Sequence, residues 1–268
     1  MIYLKNDYKF QFNVLRLNRG FTLIELMVGL AVTSILLAGI YTTYNIQQRS
    51  YKTQTMIVSV QQNIRGALVV MEDEIRMAGY DKSVPNTGLF GLTDITIDGN
   101  GNGTLTFTGD FGLGTADNGV IDTNETFSYS IYDSGSTEAV GNMDLGRNIG
   151  AGRQLLAEGI EALGFAFAYD NDADQQLDTS GGNVLWGIDS DGDNVLDTNV
   201  NGGGLPTLVN MDRIRAVRIW LLGRTRGIVR GYRDTNTYVV GNRVLGPFND
   251  GFQRILLTST IKCRNAGL

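Results

Sequence analysis

The chain has 268 residues, enough to bury a core as one domain with a separate helical or membrane element, and its 42% hydrophobic content is that of a globular protein. It contains 35 Gly, 3 Pro and no His, and the lack of imidazole excludes Ser-His-Asp and Cys-His nucleophile pairs and His-based metal sites. The net charge of -6 hides an asymmetry: residues 81–210 hold twenty Asp or Glu against Lys82, Arg147 and Arg153, whereas from 211 eleven Lys or Arg face three Asp, so the acidic centre argues against nucleic-acid binding.

The single cysteine, Cys263, excludes an internal disulfide and reads as a small buried hydrophobe. Rigidity must then come from packing or from a metal.

Residues 1–20 form a short leader with Lys5, Lys9, Arg16 and Arg19 against Asp7. From 21 to 44 follow 24 residues whose only charge is Glu25, long enough to cross a hydrocarbon layer of about 30 Å as a helix. A secretory signal is cut after its apolar stretch, but here the obvious punctuation, Arg19-Gly20, comes before it. Cutting after Gly20 keeps the helix in the mature protein and creates an ammonium at Phe21, one helical turn from Glu25. A buried carboxylate costs a few kcal/mol in a membrane unless it has a partner, and that amine, or a neighbouring subunit's, supplies one. The alternative is that Glu25 snorkels to the interface from a plain anchor. The basic leader favours the N-terminus inside and the C-terminus outside.

Arg19-Gly20-Phe21-Thr22-Leu23-Ile24-Glu25-Leu26 resembles the prepilin motif of type IV pilins and type II secretion pseudopilins. The resemblance implies cleavage between Gly20 and Phe21 by a prepilin peptidase, N-methylation of Phe21, and pairing of Glu25 with a neighbouring subunit's N-terminus during assembly. Thr42 stands where major pilins commonly carry a kinking Pro, which points away from a major-pilin role.

The apolar residues Ile46, Ile57, Val60, Ile64, Leu68, Met71, Ile75 and Ala78, with Thr53, recur at helical steps, so the helix is expected to continue amphipathically over 45–79 and stop at Gly79. Residues 80–268 are expected to form a β-rich head, with strands in 104–108, 125–132, 160–169, 213–222, 238–244 and 254–264, between Gly, Asn and Asp turns. The fold class is α+β: a long N-terminal helix whose amphipathic half packs on the head.

Two acidic stretches repeat one spacing. Asp170, Asp172, Asp174 and Asp178 stand at positions 1, 3, 5 and 9 of the first, and Asp189, Asp191, Asp193 and Asp197 at the same positions of the second. Alternate Asp residues on a tight loop supply the oxygens calcium requires, with the carbonyls of Gln176 and Val195 at position 7. Position 6 is Gln175 or Asn194 rather than Gly, and position 12 is Gly181 or Val200 rather than Glu, so one or two weak sites are expected, with Kd of about 10⁻⁴ to 10⁻³ M. The competing reading is of solvated Asx turns that bind nothing. A third echo, Asn118-Gly-Val-Ile-Asp122-Thr-Asn, matches the closing halves 174–180 and 193–199, but its upstream positions are Gly114 and Ala116.

The run 156–165, the stretch Arg213-Ile214-Arg215-Ala216-Val217-Arg218-Ile219 and the strand 254–265 resemble the PilW type of minor pilin, whose head is similar to that of secretion pseudopilin J. That resemblance implies a non-enzymatic assembly protein that primes pilus formation at the fibre tip, with other minor and major pilins and a tip adhesin as partners. It implies residence in the inner membrane before assembly and on the extracellular pilus afterwards. The rival readings are a type II secretion pseudopilin and a calcium-dependent surface-binding module on a permanent anchor.

Overall fold

The computed structural model describes residues 20–81, 90–111, 119–122, 124–133, 143–150 and 152–265. Leader residues 1–19, and Gly114, Ala116, Asn118 and Thr123 at the third echo, lie outside the described residues.

The chain divides into two units, 1–51 and 52–268. In the first, helix α1 begins at Leu23, and as an element of 54 residues it is assigned through Arg76. Its apolar N-terminal half has a window of mean hydropathy 2.3 with none of it buried, long and apolar enough to cross a membrane.

In the second unit the amphipathic half of α1 buries Val60, Ile64, Ala67, Leu68, Met71 and Ile75. The expected stripe holds from Val60 onward, while Thr53 and Ile57 are only half-buried and Ala67 joins it. Ile46, within the first unit, is exposed. The helix ends in a turn in which Gly79 takes φ 80°, a left-handed conformation that Gly adopts at little cost, and its N–H bonds the Thr108 carbonyl at 3.0 Å.

Among the described residues, two larger antiparallel sheets and two two-stranded ones complete the unit. The first is a meander of β1 Leu92–Ile97, β2 Gly103–Thr108, β3 Thr126–Tyr132, β4 Asp144–Asn148 and β5 Arg153–Ala157, in that order. The remaining strands are β6 Ile160–Tyr169, β7 Thr179–Ser180, β8 Asn183–Val184, β9 Gly187–Ile188, β10 Val195–Asn199, β11 Gly204–Asn210, β12 Ile214–Arg224, β13 Tyr238–Val240, β14 Arg243–Leu245 and β15 Arg254–Lys262. Six of them form the second sheet in the order β11-β10-β9-β6-β12-β15, and β7-β8 and β13-β14 form the two-stranded ones. The stretch 238–244, expected as one strand, is the β13–β14 hairpin, because Gly241 at φ 64° turns the chain and pairs Val240 with Arg243.

The main core lies between α1 and both sheets. Strand β6 is buried on both faces because its side chains alternate in size. Leu163, Phe165, Phe167 and Tyr169 enter the main core, whereas Ala162 and Ala166 face a smaller cluster with Trp220, Leu222 and Val240. Gly223 lies against the helix: a Cβ there would stand 2.6 Å from Ile64 Cδ1.

Candidate functional sites

At the start of α1, Glu25 Oε2 accepts the Thr22 N–H at 2.9 Å and the Thr22 hydroxyl at 2.8 Å, and Thr22 Oγ1 accepts the Glu25 N–H at 3.3 Å. This is a reciprocal capping box, two orphan helix N–H groups satisfied by side chains, and its signature is the spacing Thr-x-x-Glu. Gly20 and Phe21 precede it and are exposed, Phe21 at 91%. The structure thus gives Glu25 a local partner that the sequence reading, which looked to an amine, did not name.

The two Asp-rich stretches fold alike. The first follows β6 and the second joins β9 to β10, and in each the position-1 carboxylate is buried, Asp170 at 2% exposure and Asp189 at 0%. Asp170 accepts the N–H of Asp174 and of Gln175, each at 3.1 Å, while Asp189 accepts those of Gly192 at 2.7 Å and Asn194 at 2.8 Å. Carboxylate oxygens of Asp170, Asp172 and Asp174 lie within 4.8 Å of one another, as do those of Asp189, Asp191 and Asp193. The other two members of each trio are exposed to solvent, and carboxylate oxygens are the hard donors that suit calcium.

The position-9 residues have a different place. Asp178 accepts the Asn171 N–H at 3.4 Å, and Asp197 accepts the Ser190 N–H at 3.0 Å and its hydroxyl at 2.6 Å, so each closes the base of its loop and stands outside the trio. At position 6, Gln175 and Asn194 each take φ 67°, the left-handed conformation that Gly would supply. Position 4 is also left-handed, with Ala173 at φ 61° and Gly192 at φ 82°. The first loop therefore carries two strained non-Gly residues, and Arg215 Nε lies 3.9 Å from Asp170 Oδ2, competing with any cation there. Asn194 anchors the second loop to β1 by accepting the Ile95 N–H at 2.7 Å and donating to Asp94 at 3.2 Å.

Electrostatics separate the carboxylates. Burial raises Asp189 above its ordinary 3.8, against three backbone N–H bonds, and burial followed by repulsion from Asp172, Asp170 and Asp174 raises Asp178. Burial also pushes on Asp197, but the Ser190 bonds outweigh it and hold that carboxyl below 3.8. A cation at either trio would relieve the repulsion among its members.

A buried charge network escaped the sequence reading. Arg254, its side chain 1% exposed, pairs with Asp234 at 3.0 Å, with Asp250 at 2.7 Å and with both oxygens of Glu161, and its guanidinium stacks 3.6 Å from the Phe248 ring centroid. Asp234 is fully buried and also accepts the Tyr238 hydroxyl at 3.1 Å. The network ties β15 to β6 and to the 225–253 connection, and no local spacing announces partners 93 residues apart.

Comparison with known proteins places these features. Residues 15–41 match the prokaryotic N-terminal methylation motif, and residues 183–265 match the family described as type IV pilus-assembly protein W. The second match takes in the loop of Asp189, the stretches 213–219 and 254–265 and the Arg254 network except Glu161, while the first Asp-rich loop and the run 156–165 lie before it. Among solved structures, a type IV-like pilin from Thermus thermophilus aligns at 16% identity over 78% of this chain and 98% of its own, with a TM-score of 0.44. No curated protein matches the chain. The apolar helix and the methylation motif fit anchoring in the inner membrane followed by incorporation into a pilus. With the methylation motif at one end, the pilus-assembly segment at the other, and a long helix whose second half packs on a β-rich head, the chain resembles the PilW type of type IV minor pilin.

Proposed function

We propose that the protein is a minor pilin that primes type IV pilus assembly and sits at or near the fibre tip. On this reading prepilin peptidase removes the leader between Gly20 and Phe21, Phe21 is N-methylated, and Glu25 meets the amine of a neighbouring subunit. The head, residues 80–268, then faces outward and contacts other minor and major pilins and a tip adhesin, without catalysis of its own. The observation that carries the reading is the joint presence of the methylation motif and the pilus-assembly segment in one chain.

Mass spectrometry of the N-terminus in sheared surface fibres and in washed membranes tests it. N-methylated Phe21 in the fibres is the expected result. Mature Phe21 confined to membranes would instead favour a secretion pseudopilin, and an intact leader in both fractions would overturn processing altogether. Gly20→Ala should leave the precursor uncut.

The two Asp-rich loops support a second element of function, one or two weak calcium sites. The Asp172, Asp174, Asp191 and Asp193 carboxylates are exposed and gathered around buried Asp170 and Asp189, so an ion would reach them from solvent.

A further inference from the structure

Asp110 and Glu125 flank the connection between β2 and β3, and both are fully buried. Each carboxylate uses one oxygen. Asp110 Oδ2 accepts the Gly119 N–H at 2.9 Å, and Glu125 Oε2 accepts the Asp122 N–H at 2.8 Å. The other two oxygens, Asp110 Oδ1 and Glu125 Oε1, have no hydrogen-bond partner. A carboxylate oxygen withdrawn from water without a donor is costly, so each of the two open oxygens is a place for a ligand that supplies positive charge.

The two carboxylates hold opposite ends of one four-residue stretch, 119–122. Their backbones are joined as well, by the Gly109 N–H to the Glu125 carbonyl at 3.2 Å, and the Glu125 N–H bonds the Asp122 carbonyl at 3.1 Å.

The arrangement repeats the Asp-rich loops. Gly119 takes φ 75° and gives its N–H to a buried Asp, as Gln175 and Asn194 at φ 67° give theirs to Asp170 and Asp189. In those loops the buried Asp stands five residues upstream; here it stands nine upstream, which is why the 1-3-5-9 spacing overlooks it. One difference matters. Both oxygens of Asp170 and of Asp189 already accept N–H groups, whereas Asp110 and Glu125 each keep one open.

We propose that Asp110 and Glu125, at the two ends of the 119–122 stretch, form a third cation site for a hard divalent ion of the calcium class. Carboxylate oxygens are the donors such an ion prefers, and carbonyls and water complete its shell. The site stands apart from calcium binding at the Asp-rich loops, and the test separates the two.

The full chain in detergent is prepared with Asp172→Asn, Asp174→Asn, Asp191→Asn and Asp193→Asn, and ⁴⁵Ca²⁺ bound per chain is counted by equilibrium dialysis. This background should retain one ion, and adding Glu125→Gln should abolish it. Asp110→Asn, which leaves an oxygen for the Gly119 amide, is a second variant with the same expected loss. No ion in the background, or an ion retained by whichever of these variants folds, overturns the proposal. Equal binding by the wild type and the background would instead defeat calcium binding at the Asp-rich loops and leave the third site standing.

Discussion

Thr22 and Glu25 satisfy each other's backbone amides at the first turn of α1, so one carboxylate has both a local capping role and, on the proposed reading, a partner in assembly. Glu25→Gln separates the two roles, because the amide oxygen still accepts the Thr22 N–H while the charge is gone. The variant is expected to be processed normally and to enter fibres several-fold less, read by immunoblot of sheared fibres against membranes. Thr22→Val removes only the cap, at about 1 kcal/mol, and should enter fibres nearly as well as wild type. Undiminished incorporation of the Gln variant would end the charge-pairing role.

Calcium at the Asp-rich loops should raise the melting temperature of the head. For Kd of about 10⁻⁴ to 10⁻³ M, 10 mM calcium adds roughly 1.4 to 2.7 kcal/mol per site. Asp191→Asn should remove more of this gain than Asp172→Asn, because Arg215 stands against the first loop and two strained non-Gly residues shape it. A thermal unfolding series with calcium and with chelator decides the order.

Arg254→Met leaves Asp234 buried without its guanidinium and is expected to cost about 3 to 5 kcal/mol in denaturant unfolding. Arg254→Lys should recover little of it, since an ammonium cannot hold Asp250 and Glu161 by paired N–H groups while stacking on Phe248.

Acid should weaken the same region. Hydrogen bonding from Arg254 holds the Asp250 carboxyl below its ordinary 3.8, despite partial burial. A depressed folded-state value means that the contribution is complete above 3.8 and is lost as pH falls through the lower native value. Asp250→Asn should therefore flatten the fall in stability below pH about 4, measured by denaturant midpoints across pH. An unchanged slope would assign the acid sensitivity to other carboxylates.

Much of the helix was legible because its signals are local: an apolar run of membrane length, a stripe recurring at three and four residues, and Gly79 at the stop. The strands at β2, β3, β6, β12 and β15 were legible from β-branched and aromatic runs. Strand β4 was not, since Asp144 and Arg147 give it a polar texture, and it pairs in the sheet with Arg147 reaching across to Glu74 on α1 at 3.0 Å. The acidic repeat foretold two loops of one shape, but carboxylate spacing alone did not distinguish the three residues that converge from the fourth that closes the base. The Arg254 and Asp110 environments depend on residues far apart in sequence or on an inserted spacer, and neither leaves a periodic trace.

Glu72 and Glu74 lie two residues apart on α1 and bond to different sheets, Glu72 to the Ser259 hydroxyl of β15 and Glu74 to Tyr129 of β3 and Arg147 of β4. Neither sheet can separate from the helix without stripping a polar contact from a partly buried glutamate. Amides of β3 and β12 should consequently exchange with deuterium in one common opening rather than sheet by sheet, making the end of α1 the element whose loosening sets the lifetime of the whole head.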